Sequence, residues 1–173
     1  MAAALLLLTV GGCGSGTTGG DPPADAARVE STKAAEKPAN TAAVGKALTV
    51  KVQSGATAEV TVLKVTTAKK GKGEFAEKPA NGQFLVVDVR IKVTGERFSV
   101  NPLYVKYQAA DEKVFDSGEG NGFAAGYEPA LPAGEVPEGQ MSRGFVVFDV
   151  PVGAGKQIQL TDELGGPIAF WTL

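Results

Sequence analysis

Along residues 84–93 an apolar side chain stands at every second position. Leu85, Val87, Val89, Ile91 and Val93 share one parity, and Asp88, Arg90 and Lys92 the other. A period of two sorts these sets onto opposite faces of an extended strand, whereas a helix would scatter both around its circumference. The stretch can bury its apolar set only as a β-strand packed on one side. That requirement governs most of the chain after Gly45. Leu48, Val50 and Val52 alternate with Thr49, Lys51 and Gln53, and residues 58–66 are rich in β-branched side chains. Their parity slips where Val62 and Leu63 are adjacent, which predicts a bulge. Leu103, Val105 and Tyr107 alternate with Tyr104, Lys106 and Gln108, and Val146, Phe148 and Val150 with Phe145, Val147 and Asp149. Ile158 with Leu160, and Ile168 with Phe170, supply two short closing strands.

No stretch past residue 46 carries a 3.6-residue period. About seven to nine short strands between Gly and Pro turns predict an all-β fold, an immunoglobulin-like antiparallel β-sandwich. The Cys–Trp–Cys pattern of immunoglobulin domains is absent, so the likeness is architectural. Trp171, near the chain end with Leu173 on its parity, is expected to cover one end of the core.

The first residues read differently. Residues 2–10 are a short run of Ala, Leu, Thr and Val that ends in Gly11-Gly12-Cys13. The run is too short to span a bilayer as a helix, yet it closes on the small residues a signal peptidase needs. Val10-Gly11-Gly12-Cys13 resembles the bacterial lipobox. That resemblance implies a diacylglyceryl group on the Cys13 thiol, cleavage just before it, and acylation of the new amino terminus. No Lys or Arg precedes the apolar run, so the expectation includes a true start upstream of Met1. Residues 14–45 are rich in Gly, Ala, Thr, Pro and charges, with too little apolar surface to repay ordering, and are expected to form a disordered tether. The organisation expected is a signal peptide at 1–12, a lipidated cysteine and linker at 13–45, and a sandwich at 46–173.

The chain contains no histidine, and beyond Met1 its only methionine is Met141. This removes the commonest general base and the commonest metal ligand, and one thioether builds no copper site. A lone cysteine excludes an internal disulfide and a cysteine-cluster metal centre. A formal net charge of −2 with both signs interspersed disfavours nucleic acid as a partner.

Three stretches remain as candidate sites. Asp111, Asp116, Glu119 and Asn121, with Glu112, set oxygen ligands among glycines, as Ca²⁺ prefers, but without EF-hand spacing; a solvated loop uses the same residues. Lys64, Lys69, Lys70 and Lys72 form a basic stretch that suits anionic lipid or teichoic phosphate, or else a solubilising hairpin tip. Phe123, Tyr127 and Leu131 sit among Gly, Ala and Pro; they form either a partner surface on a rigid scaffold or a flap folded over the core. An enzyme would need carboxylates with split pKa values, such as Asp111 with Asp116 or Glu119, and nothing in the spacing places them in a cleft.

A family resemblance rests on five stretches in order. These are Gly82-Gln83-Phe84-Leu85-Val86-Val87-Asp88-Val89, Phe98-Ser99-Val100-Asn101-Pro102-Leu103, Asp111-Glu112-Lys113-Val114-Phe115, Leu131-Pro132-Ala133-Gly134-Glu135 and Gly144-Phe145-Val146-Val147-Phe148-Asp149-Val150-Pro151. They resemble domain-of-unknown-function family 4352, common in lipoproteins of Gram-positive bacteria, and similar in fold to a secreted mycobacterial antigen. The resemblance implies a secreted β-sandwich with no known catalytic set, so no functional residue is carried over. The function expected is a non-catalytic binding or scaffolding module without cofactor. It would be held by lipid at Cys13 on the outer face of the membrane and would meet an envelope protein or cell-wall polymer. The alternatives are a small-ligand or Ca²⁺ receptor and a structural envelope component.

Overall fold

The computed structural model describes residues 40–173, so the expected signal peptide, Cys13 and most of the tether lie outside the described residues. Eleven strands follow one another: β1 (Thr41–Ala43), β2 (Ala47–Lys51), β3 (Thr57–Ala68), β4 (Gln83–Gly95), β5 (Phe98–Val100), β6 (Val105–Ala109), β7 (Val114–Asp116), β8 (Gly134–Val136), β9 (Met141–Val150), β10 (Gly155–Thr161) and β11 (Pro167–Thr172). The only helical pieces among the described residues are two single 3-10 turns, Pro102–Tyr104 and Phe123–Ala125. Among the described residues no helix is long and apolar enough to cross a membrane.

The strands form an immunoglobulin-like β-sandwich. One sheet has the order β2-β3-β4-β9 and the other β1-β11-β10-β6-β7, with β5 and β8 as a separate two-stranded ribbon. Neighbours are antiparallel except β1 and β11, which pair in parallel. Between the sheets, Val60, Val62, Val87, Val89 and Ile91 meet Tyr107, Ile158, Leu160 and Trp171. Each such aliphatic side chain stabilises the fold by about 1.5–3 kcal/mol on burial. The expected bulge is present: Val62 pairs with Val89 and Lys64 with Asp88, leaving Leu63 as the extra residue.

Four expectations are corrected. The domain begins before residue 46, because β1 bonds to the closing strand and Phe170 N–H donates to the Asn40 carbonyl at 2.9 Å. Leu103 lies in the first 3-10 turn, exposed, because Asn101 Oδ1 caps that turn by accepting from Leu103 N–H. In β11 the core parity is Ala169 and Trp171, while Ile168 and Phe170 are only partly covered. Trp171 belongs to the core itself, 1% exposed with its indole N–H donating to the Lys46 carbonyl, and Leu173 is exposed.

A second apolar cluster lies on the outer face of the four-stranded sheet. Phe84, Val86 and Val147 are buried there beneath Ala125, with Tyr127 and Phe145 packed against them. Both faces of β4 are therefore covered along its first half, which explains the unbroken run Phe84-Leu85-Val86-Val87.

Candidate functional site

Two loops cover that outer face, residues 69–82 and residues 117–131. They bond to each other through Lys72 N–H to the Ala125 carbonyl (2.8 Å) and Glu77 N–H to the Ala124 carbonyl (2.9 Å). Their close approach depends on Gly126, in the left-handed region at φ +70°, where a Cβ would stand 2.0 Å from the Lys72 carbonyl oxygen. Both loops are tied to β9 by one side chain. Asp149 is 1% exposed, and its carboxylate accepts the backbone N–H groups of Ala80 (2.7 Å), Asn81 (2.8 Å) and Asn121 (2.9 Å). Asn121 Nδ2 in turn donates to the Lys78 carbonyl. A buried carboxylate is tolerable where charge-assisted bonds replace its lost hydration, as they do here.

The frame sets residues from both loops against the sheet. Lys64 and Thr66 of β3, Asp88 of β4, Phe145 of β9, and Lys72 and Tyr127 of the loops line a notch of about 220 Å³. Lys72 Nζ lies 4.9 Å from the Tyr127 ring centroid, a cation–π distance. Tyr127 meets Phe145 edge-on at 6.2 Å. Arg143 extends the notch along β9 and clamps Asp88 through Nε (3.1 Å) and Nη2 (2.8 Å). The hydrogen bond to Asp88, aided by its charge, pushes the Arg143 guanidinium pKa further up, so it stays cationic. The site offers ammonium groups beside an aromatic wall, which suits an anion attached to an uncharged body.

The basic stretch and the aromatic loop, separate in sequence, thus converge in space. Lys64 projects from the strand and Lys72 from the loop, both exposed, while Lys69 and Lys70 are exposed outside the notch lining. The aromatic trio is divided. Tyr127 walls the notch, Phe123 is 67% exposed, and Leu131 is 3% exposed within the main core. Leu131 therefore contributes no contact surface. The strap that carries it runs along β9, with Leu131 N–H bonded to the Phe145 carbonyl, and turns the side chain inward.

The oxygen-rich loop is not gathered into a cage. Asp116 pairs with Lys106, Asp111 accepts the Lys113 N–H, Glu119 is exposed, and Asn121 serves the Asp149 frame. Among the described residues no three His, Cys, Asp or Glu side chains cluster so as to hold a metal ion. Asp149 itself is missing from the sequence reading, which set it on a wet face. The available signal was a carboxylate between Phe148 and Val150 in an otherwise apolar stretch.

Two clefts open at the ends of the sandwich. One, about 190 Å³, lies between the sheets among Ile91, Phe98, Tyr104, Leu160, Arg97 and Asp162. The other, about 380 Å³, lies among Tyr107, Asp111, Lys113, Phe115 and Val152. In the second, burial and then the Asp111 charge push the Tyr107 phenol above its ordinary pKa.

Two facing sheets, with loops capping one outer face beside a cationic, aromatic notch, define an immunoglobulin-like β-sandwich. The chain belongs to the domain of unknown function family DUF4352, whose profile matches residues 46–167. Its fold is similar to that of MPT63, a secreted protein from Mycobacterium tuberculosis. The TM-score is 0.61 at 17% identity, over 77% of this chain and 96% of that one. A lipoprotein candidate from Bacillus subtilis, YcdA, matches with a TM-score of 0.46 at 17% identity, over 67% of this chain and 36% of that one. No functionally curated protein matches the chain.

Proposed function

We propose that this protein is an extracytoplasmic, lipid-anchored and non-catalytic binding module that meets a partner in the cell envelope through the notch-bearing outer face of its four-stranded sheet. The observation that carries this reading is the frame itself. Asp149, buried on the solvent side of a strand, holds two loops so that Lys64, Lys72 and Tyr127 share one recess. Buried polar ties that fix loops on a rigid sheet are how a recognition surface is preorganised. The extracytoplasmic reading is supported by Val10-Gly11-Gly12-Cys13 after an apolar run, and by the secreted neighbour MPT63.

Photo-crosslinking in cells tests it. A photoreactive phenylalanine analogue at Thr66, in the notch, is expected to capture an envelope component. The same analogue at Gln159, on the other sheet, is not, and Cys13→Ala abolishes the capture. Equal labelling from both positions, or an intact mass starting at Met1 without acyl groups, refutes the reading.

A second reading, a small-ligand receptor, is favoured by the cleft between the sheets lined by Phe98 and Tyr104. Its 190 Å³ falls below the roughly 300 Å³ at which drug-sized ligands are enclosed, which restricts it to smaller molecules.

A further inference from the structure

The strand register extends the cationic notch into a track. On the outer face Lys64 lies beside Asp88, which lies beside Phe145. The next row is Thr61, Arg90 and Arg143, and the last is Glu59, Lys92 and Met141. Residues of one parity recur at about 7 Å along a strand, with neighbouring strands about 4.8 Å apart. Asp88 and Arg143 neutralise each other. Among the described residues, no carboxylate forms an ion pair with Lys64, Lys72, Arg90 or Lys92. Glu59 is the one further acid in these rows. A chain with a net charge of −2 therefore carries a line of unpaired cations across one sheet face, beginning in a recess.

We infer that this face is a docking track for a linear polyanion with a phosphate in each repeat, its first anion seated between Lys64 and Lys72 and its following anions meeting Arg90 and Lys92. The inference rests on the binding-module reading and names its ligand class. Charge complementarity selects an anion, and the row of cations selects one that repeats. Shape selects a thin polymer over a bilayer. The loops lie on top of the sheet, and beside the lysines they carry Glu74, Glu77, Glu119 and Glu128, all exposed. A flat anionic surface would meet those carboxylates before reaching the sheet.

The test uses the full chain carrying Cys13→Ala, with long-chain inorganic polyphosphate, orthophosphate, and phosphatidylglycerol–phosphatidylcholine vesicles as probes. Polyphosphate is expected to bind at low salt and to be released by high salt, because exposed charges are screened. Lys64→Glu with Lys92→Glu, both exposed, is expected to weaken it at least tenfold while the domain stays folded. Lys46→Glu with Lys156→Glu, the same charge change elsewhere, is expected to shift it less than twofold. Equal losses in the two double variants, orthophosphate binding as tightly as the polymer, or binding to vesicles alone would each overturn the track. Should polyphosphate fail while Thr66 still captures an envelope component, the polyanion inference falls and the binding-module reading stands.

Discussion

Replacing Asp149 by Ala should loosen two loops and the fold together. Its carboxylate accepts three backbone N–H groups at 2.7, 2.8 and 2.9 Å from a nearly waterless position. Hydrogen bonds to a charged group contribute about 1.5–3 kcal/mol each. Ala80 and Asn81 are exposed, so their freed donors regain water, whereas the half-buried Asn121 donor regains it less readily. Discounted in that way, the loss is about 2–4 kcal/mol, a Tm decrease on the order of 10 °C for a domain of this size. Asp149→Asn keeps the volume and one acceptor, and should lose about half as much. Differential scanning fluorimetry reads the Tm. Hydrogen exchange at residues 78–82 and 119–126 reads the frame, and both segments should exchange faster together. A Tm drop below about 2 °C, or faster exchange in only one loop, would refute the idea that a single carboxylate holds both.

Leu131→Ala should cost about 2–5 kcal/mol as a core cavity, while Phe123→Ala should stay within about 0.5 kcal/mol; urea denaturation of both variants checks the contrast. Gly144→Ala would set a Cβ 2.3 Å from Leu131 N and 2.4 Å from the Ala130 carbonyl carbon, so the strap along β9 must lift, with a loss of about 1–3 kcal/mol in the same assay. Tyr107 keeps its proton longer in the folded state than in the unfolded chain, because burial and Asp111 raise its pKa. The unfolded state therefore binds fewer protons once pH passes about 10, and stability falls as pH rises beyond that point. Tyr107→Phe should flatten this alkaline decline, measured as Tm between pH 9 and 11, and an unchanged slope would exclude the phenol as its source.

Where neighbouring residues alone decide, the sequence was readable. The alternation in β4, the parity slip at Val62 and Leu63, and the pairing of Val146, Phe148 and Val150 on one face all survive in the fold. What escaped depends on partners far along the chain. Strands β1, β5 and β8 are three residues each, too short for a period to show, and exist because a distant backbone pairs with them. In β11 both parities are apolar, and the choice falls to Trp171, whose indole N–H finds the Lys46 carbonyl. The notch was visible only as two unrelated stretches, one basic and one aromatic. Their meeting is set by Asp149, which a rule of alternation assigns to water.

The first described residue has a mechanical consequence. Asn40 Nδ2 donates to the Ile168 carbonyl in one sheet and to the Thr49 carbonyl in the other. Tension arriving from residues before it is thus shared by both halves of the sandwich. It also pulls β1 lengthwise past β11, loading several bonds at once instead of peeling them one by one. A domain fastened in this way resists being drawn open by a pull on its amino-terminal strand.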